Sequence, residues 1–287
     1  MRSQEDQVWY HVDVNSAYLS WTAAYRVCIL GEDLDLRDIP SVIGGSEAER
    51  HGIVLAKSGS AKRYGIRTGE TLAEARCKCP GLVIVPPDYS LYVSCSKALV
   101  ELLKKYFPHV HQYSIDEAFC RVEGTKGLWG THTAFAHQLK EEIRRELGFT
   151  VNIGVSDCKL LAKMASEFQK PDQVHTLFTR EIERKMWPLP VSDLFWVGPA
   201  TVRKLGALGI RTIGELAVMD LELLKRHLKK QGEFIWNYAN GRDVSPFLRE
   251  LPRNKGYGNS MTTPFDVTDR ETAWQVILSL TETVCAR

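Results

Sequence analysis

Strand and helix patterns alternate along the chain up to Lys170-Pro171, and beyond this point helical patterns dominate. Short apolar runs rich in β-branched and aromatic residues predict strands, and apolar residues spaced three or four apart predict helices. Strands are expected at residues 8–14, 52–56, 82–85, 110–122 (a hairpin), 150–155 and 174–178, and helices at residues 16–30, 71–79, 89–107, 131–147 and 158–168. This order predicts an α+β fold, in which a sheet layer carries helices on one face.

The remainder of the chain is expected to be helical, with short loops. Pro188 and Pro190 mark a boundary region, and a second boundary falls near residues 251–254. Beyond it, residues 256–267 are strand-like and residues 269–287 have a helical pattern. A final piece of about 30 residues is too short to bury its own core, so we expect the chain to end inside a domain.

The composition is that of an ordinary globular protein, with 287 residues of which 44% are hydrophobic and 25% charged. A membrane span needs about 20 consecutive apolar residues, and the sequence has no such run. The N-terminus also lacks the basic and then apolar pattern of a secretory signal. Seven irregularly spaced cysteines favour reduced thiols over a disulfide scaffold. These features predict a cytoplasmic protein with no membrane partner.

Charge is unevenly distributed. Residues 187–256 contain 11 Lys/Arg and 7 Asp/Glu, a net charge of +4, although the whole chain carries only +2. A local basic excess is typical of a surface that meets a nucleic-acid backbone. A solvated helical surface explains the charge alone equally well.

Three acidic residues lie in apolar strand patterns: Asp13 near the end of the first, and Asp116 and Glu117 side by side in the predicted hairpin. Neighbours on a flat strand point to opposite faces, so these two acids can serve one site only at a turn or a twist, and a hairpin tip would allow this. Three converging carboxylates would suit hard divalent cations such as magnesium, and two such ions catalyse phosphoryl displacement. From the spacing alone, solvated hairpin acids with a capping Asp13 fit equally well.

Two motifs around these acids carry a family resemblance. DVNSAYLS (residues 13–20) and YSIDEAF (residues 113–119) resemble the two catalytic motifs of the Y-family (translesion) DNA polymerases, the DinB and UmuC group. The DVN form and the later AKSGSAKRYGIRTG are closer to the UmuC side. The resemblance covers nearly the whole chain, from Trp9 to about Ala286.

The resemblance implies a metal site. Asp13, Asp116 and Glu117 would be the catalytic, metal-binding triad, and the backbone carbonyl of Val14 would be a further ligand. The cofactor would be two Mg²⁺ ions, with Mn²⁺ as a substitute. Asn15 stands where many members have another acid, so it is not counted as a ligand.

Three residues are implied to bind the nucleotide. Tyr18 falls where the family has a steric gate against the ribose 2′-hydroxyl; otherwise it is an ordinary aromatic on the buried face of the first helix. Lys170 matches a palm lysine that reaches the triphosphate, although a lysine just past a helix end also suits the helix dipole.

Two other lysines are not implied to bind the nucleotide. Lys159 and Lys163, four residues apart on the preceding helix, are expected to meet backbone phosphate or solvent.

The third implied nucleotide contact is Lys62, in the predicted fingers. Many DinB-type members hold the triphosphate there with a Tyr and an Arg, where this sequence has Gly59 and Lys62. Lys62 can still act as a point charge, but it lacks the planar fork of arginine. Glycine cannot replace the tyrosine hydroxyl, which leaves Ser58 or Ser60 as substitutes.

A further segment, LFWVGPATVRKL (residues 194–205), resembles a helix-hairpin-helix, whose turn points backbone N–H groups at a DNA phosphate. The implied DNA-binding residues are Val197, Gly198, Ala200, Arg203 and Lys204. Alanine replaces the second glycine of the common G-x-G turn. The alternative is a simple helix–helix turn within a bundle, and the basic neighbours favour DNA.

The family fold is a ferredoxin-like palm with a small inserted fingers domain and an all-helical thumb that contains the helix-hairpin-helix. The implied domains are palm at 1–17 and 83–178, fingers at 18–82, thumb at 179–250 and the start of an incomplete little-finger domain at 251–287.

The implied function is that of a low-fidelity, lesion-bypass DNA polymerase that adds dNMP to a primer 3′-hydroxyl. Its partners would be primer–template DNA, dNTP, and a sliding clamp or accessory subunit bound through a C-terminal region beyond this sequence. Two alternatives stay open. One is a non-catalytic DNA-binding or regulatory homologue, and the other is a two-metal nuclease or nucleotidyl cyclase.

Overall fold

The computed structural model describes residues 7–46, 52–123, 130–243 and 255–286. Its contacts divide the chain into two compact units, residues 1–17 with 90–245, and residues 18–89 with 246–287. The strands in the described residues are β1 (Gln7–Val14), β2 (Ser41–Gly44), β3 (Val54–Lys57), β4 (Val83–Val85), β5 (His109–Gln112), β6 (Glu117–Glu123), β7 (Val151–Ser156) and β8 (Val174–Thr176). The helices are α1 (Ala17–Cys28), α2 (Gly59–Arg63), α3 (Leu72–Lys78), α4 (Tyr89–Lys104), α5 (His132–Leu147), α6 (Lys159–Glu167), α7 (Ile182–Lys185), α8 (Pro199–Ala207), α9 (Ile213–Val218), α10 (Leu221–Leu228), α11 (Lys230–Ala239) and α12 (Arg270–Cys285).

The first unit is built on a five-stranded sheet in the order β5-β6-β1-β7-β8. The central strand β1 pairs antiparallel with both β6 and β7, and β8 runs parallel to β7. Together with α4 and α5, strands β1, β5, β6 and β7 have the chain order and spatial order of a ferredoxin-like fold. This confirms the predicted fold class. Every residue from Val8 to Val14 is buried, as the apolar run predicted.

Helix α6 lies against β1 and β7, and all of its residues from Leu160 to Ser166 are buried. The close approach depends on Gly154 of β7, where an added Cβ would lie 1.9 Å from the carbonyl oxygen of Ala162. Because α6 also belongs to the core shared with the following helices, its charged residues must be paired to be tolerated.

Residues 182–239 form helices joined by short loops, as predicted. Helices α7 to α11 surround a core that includes Leu205, Leu224 and Ile235. The turn before α8 follows a three-residue 3-10 helix, Val191–Asp193, and Gly198 is the N-cap of α8. The expected helix-hairpin-helix keeps its turn and its second helix, but a three-residue 3-10 helix stands in place of its first helix.

The second unit contains a three-stranded sheet in the order β3-β2-β4. Strand β2 pairs antiparallel with β3 and parallel with β4. The sequence did not predict β2, which is only four residues long. Strand β4 was expected at the start of the palm, but it pairs with β2 in this sheet. A short strand shows its propensity locally, whereas its pairing partner depends on distant residues.

Residues 255–268 contain no strand, so the strand pattern predicted over 256–267 was wrong. The helix predicted after it is α12, with Asp269 as its N-cap. The boundary expected at 251–254 lies outside the described residues. No helix in the described ranges is long and apolar enough to span a bilayer.

Candidate active site

Asp13 and Glu117 lie directly opposite each other on the paired strands β1 and β6. Asp13 is only 7% exposed, and its burial raises the pKa of its carboxyl to about 7 even though Lys170 opposes the shift. The Lys170 ammonium lies 3.2 Å from Asp13 Oδ2 and 2.8 Å from Glu167 Oε1. A buried carboxylate at a strand end therefore depends on a nearby cation for its charge.

The Glu117 carboxylate is held by buried partners. Both of its oxygens accept hydrogen bonds of 2.8 Å from Lys163 Nζ, and His11 Nε2 lies 3.8 Å from Glu117 Oε2. Burial alone would raise the pKa of Glu117, but His11 and Lys163 together lower it well below its usual range. Glu117 therefore stays an anion across the physiological pH range.

Asp13, Glu117 and Glu167 form a cluster in which one ligand atom from each lies within 4.8 Å of the others. Three carboxylates and no thiol or imidazole donor are the ligand set of a hard divalent cation such as Mg²⁺, Mn²⁺ or Ca²⁺. The residues present therefore fit the divalent metal that the sequence predicted. Glu167 was not predicted as part of this site, although its position three residues before Lys170 was a usable signal.

Asp116 lies outside this carboxylate cluster. It occupies the loop between β5 and β6, its backbone carbonyl accepts a 3.0 Å hydrogen bond from the Val14 N–H, and its Oδ1 accepts a 2.7 Å hydrogen bond from Ser114. The predicted hairpin tip is thus confirmed, and Asp116 is tied by its backbone to the end of β1. Asp116 is half-buried.

Lys163 corrects one sequence expectation. It was expected to face phosphate or solvent, but it is 7% exposed and pairs with Glu117. The reason is that α6 is covered on all sides, so a lysine in its middle must find a buried partner. Lys159, one turn earlier, lies over the ring of Phe119 at 4.6 Å.

The second unit holds two of the predicted nucleotide-binding residues. Tyr18 is half-buried in the first turn of α1, with its ring edge-on to Tyr89 at 6.1 Å. Lys62 is exposed on α2. Ser58 cannot replace the missing tyrosine hydroxyl, because it is 2% exposed, donates to Ile39 O and caps α2. The hydroxyl of Ser60 donates to the carbonyl oxygen of Asp38 at 3.1 Å.

The predicted DNA-binding turn presents a mixed surface. Val197 is buried beneath it, whereas Gly198, Ala200, Arg203 and Lys204 are exposed. The turn precedes the nine-residue helix α8, so its exposed backbone N–H groups lie at the positive end of a helix dipole.

Comparison with known proteins identifies a matching family and similar relatives. The model of the impB/mucB/samB family matches residues 12–167. DNA polymerase IV of Clostridium acetobutylicum is 50% identical over 282 residues, which cover 98% of this chain and 70% of that protein. DNA polymerase IV of Acetivibrio thermocellus is 40% identical over 284 residues, covering 98% and 69%.

Solved structures support the fold alone, because their sequences are distant. A Y-family DNA polymerase chimera matches with a TM-score of 0.79 at 21% identity, over 96% of this chain and 78% of that chain. DinB from Sulfolobus solfataricus matches with a TM-score of 0.73 at 22% identity, over 83% and 68%.

The comparisons favour the DinB side of the family and not the UmuC side indicated by the DVN and fingers segments. Those segments are short and lie partly on exposed residues, so they carry less information than similarity over the whole chain. The family model matches more than half of the chain, and the relatives named above are DNA polymerases IV. The chain belongs to the impB/mucB/samB family and is a Y-family DNA polymerase of the DinB type.

Proposed function

We propose that this low-fidelity, translesion DNA polymerase adds dNMP to a primer 3′-hydroxyl at a two-metal site formed by Asp13, Asp116 and Glu117. The observation that carries the proposal is the pair of the buried Asp13 and the half-buried Glu117, opposite each other on β1 and β6, within a cluster of three carboxylates. Stability alone does not explain three acids at one place in the palm of a polymerase. Two of them are partly or fully buried, and burying a charge costs free energy.

Asp13, Glu117 and Asp116 would hold two Mg²⁺ ions, with the Val14 carbonyl as a further ligand and Mn²⁺ as a substitute. Such ions would supply activation of the attacking hydroxyl and neutralisation of charge on the phosphates and leaving oxygen. The chain itself contributes position. The β1–β6 pairing fixes Asp13 against Glu117, and the backbone bond from Val14 N–H to Asp116 O fixes the hairpin loop beside them.

Lys170 is suited to meet the triphosphate. Its side chain is about one-third exposed, and its ammonium already lies against Asp13 and Glu167. A cation in this position can turn towards an incoming polyanion, since its present partners are the acids that the metal ions would engage. Lys62 would add a second point charge from the fingers, and the ring of Tyr18 would exclude a ribose 2′-hydroxyl.

Primer–template DNA would be held in part by the thumb turn. The backbone N–H groups at Gly198 and Ala200 would face a phosphate, with Val197 packed beneath the turn and Arg203 and Lys204 adding sequence-independent contacts. These contacts suit a polymerase that must travel along any sequence. The expected contact with a sliding clamp or accessory subunit stays a prediction.

The test is primer extension with Mg²⁺ and dNTPs, comparing wild type with Asp116→Ala and with Glu101→Gln. Glu101 is an exposed carboxylate on α4 whose partner is Lys104, so it serves as a matched control. We expect wild type and the control to extend the primer and Asp116→Ala to lose about 100-fold or more in rate. Robust extension by Asp116→Ala would remove this residue from the site. Tight DNA binding without any extension by wild type would favour the non-catalytic alternative.

A further inference from the structure

Lys163 is a buried cation with an unusually complete set of contacts. Its Nζ donates to both oxygens of Glu117 at 2.8 Å. It also lies 5.2 Å from the centre of the Tyr113 ring and 5.1 Å from that of the Phe195 ring. Two aromatic faces and one carboxylate leave this ammonium little freedom, because each contact favours the same position.

The backbone that carries Lys163 is fixed as well. Its carbonyl oxygen accepts a 2.8 Å hydrogen bond from Ser166 Oγ, which is itself bonded to His11 Nδ1 at 2.8 Å. The other ring nitrogen of His11 faces Glu117 at 3.8 Å. His11, Ser166 and Lys163 are all at least nine-tenths buried. Glu117 is therefore contacted from two sides by His11 and Lys163, which are buried and cannot move into solvent.

We propose that Lys163 is a positioning residue that acts through Glu117, with two opposite effects on the proposed metal site. The inference rests on the proposed role of Glu117 as a metal ligand. By holding both oxygens, Lys163 fixes the orientation in which Glu117 meets the metal, which favours the chemical step. By keeping a positive charge in contact with that ligand, it also weakens the affinity of the carboxylates for a divalent cation.

The opposite changes in metal affinity and reaction rate distinguish a positioning role of Lys163 from a purely structural one. Loss of a structural residue weakens metal binding and activity together, because the site loosens. Loss of Lys163 should strengthen metal binding and slow the reaction, because repulsion and orientation disappear at the same time. Lys159 provides the matched control, since it lies on the same helix over an aromatic ring and has no carboxylate within ion-pair distance among the described residues.

The experiment titrates the protein with Mn²⁺ in the absence of DNA and measures free Mn²⁺ by electron paramagnetic resonance. For Lys163→Met we expect about tenfold tighter Mn²⁺ binding than for wild type. In single-turnover primer extension at saturating Mn²⁺ and dNTP, we expect its rate to fall about 100-fold. Lys163→Arg keeps the charge and should keep the weaker, wild-type Mn²⁺ affinity, and Lys159→Met should not change it.

Two results would overturn the inference in distinguishable ways. If Lys163→Met binds Mn²⁺ no more tightly than wild type while Glu117→Gln loses Mn²⁺ affinity, Lys163 is structural and the proposed metal site stands. If Glu117→Gln binds Mn²⁺ like wild type, the proposed site itself fails and the inference fails with it. Melting curves establish that each variant is folded. If Lys163→Met does not fold, Lys163→Gln replaces it with the same expectation, because it keeps a donor to Glu117 without the charge.

Discussion

Gly154 is the position where one added methyl group should displace the active site. In Gly154→Ala, the new Cβ would lie 1.9 Å from Ala162 O and 2.6 Å from Ser166 N. Both are backbone atoms of α6, so no side chain can turn aside to make room. An ordinary contact needs more than about 3 Å, so α6 must move away from β7 by roughly 1 Å.

The magnitude follows from this displacement. Overpacking against backbone costs about 3 kcal/mol, which corresponds to a fall of roughly 10 °C in Tm for a chain of this size. Because α6 carries Lys163 and Glu167, both move relative to Asp13 and Glu117. A misplacement of about 1 Å at a reaction centre costs about 100-fold in rate.

Thermal melting followed by circular dichroism and single-turnover primer extension measure the two effects. Gly206→Ala is the matched control, because this exposed glycine of α8 has no atom within 4 Å of an added Cβ. It should melt slightly higher, since alanine favours a helix over glycine by about 0.5–1 kcal/mol. Wild-type Tm and extension rate in Gly154→Ala would refute the reasoning that this close approach fixes the site.

Three more predictions concern other parts of the chain. Tyr18→Ala should reduce discrimination against ribonucleotides by about 10–100-fold, measured by extension with rNTPs, whereas Tyr18→Phe should keep it because the ring remains. Arg203→Ala and Lys204→Ala should each weaken primer–template binding and lower the salt slope by about one, and equal slopes in variant and wild type would exclude these phosphate contacts. Lys229→Gly should raise Tm, because Lys229 has φ +55° and ψ −136° between α10 and α11, a conformation that only glycine adopts without strain. Relief of this strain contributes about 1–2 kcal/mol to stability, and a lower Tm would contradict this.

The strands of the first unit were easier to predict from the sequence than those of the second unit. Strand β1 was predictable because it is central, and a strand buried on both faces reads as an unbroken apolar run. Strand β2 was missed because it has only four residues, of which the last is Gly44, and this gives too little pattern. The strand predicted over 256–267 failed for a different reason. Strand propensity is realised only against a pairing partner, and residues 255–268 have none among the described strands.

The candidate site shows the same division. The family resemblance of their two motifs predicted that Asp13 and Glu117 would lie together, and the structure places them opposite each other, whereas Asp116 lies outside the carboxylate cluster. Glu167 and the buried partners of Glu117 were not predicted, because they depend on how α6 packs. Its two lysines at i and i+4 look like one solvated face in sequence, whereas the structure covers that face with aromatic rings.

The two lysines that neutralise the carboxylates differ in freedom, and this difference has a consequence for the reaction. The Lys170 side chain is 34% exposed and the Lys163 side chain is 8% exposed. If metal ions and nucleotide bind as proposed, Lys170 would leave Asp13 and follow the triphosphate, whereas the buried Lys163 would stay with Glu117. Asp13 would then be released as nucleotide arrives, and Glu117 would keep its orientation throughout the cycle. On this proposal, full metal occupancy would be coupled to the presence of nucleotide, since the anion that draws Lys170 away would also supply ligands to the metal.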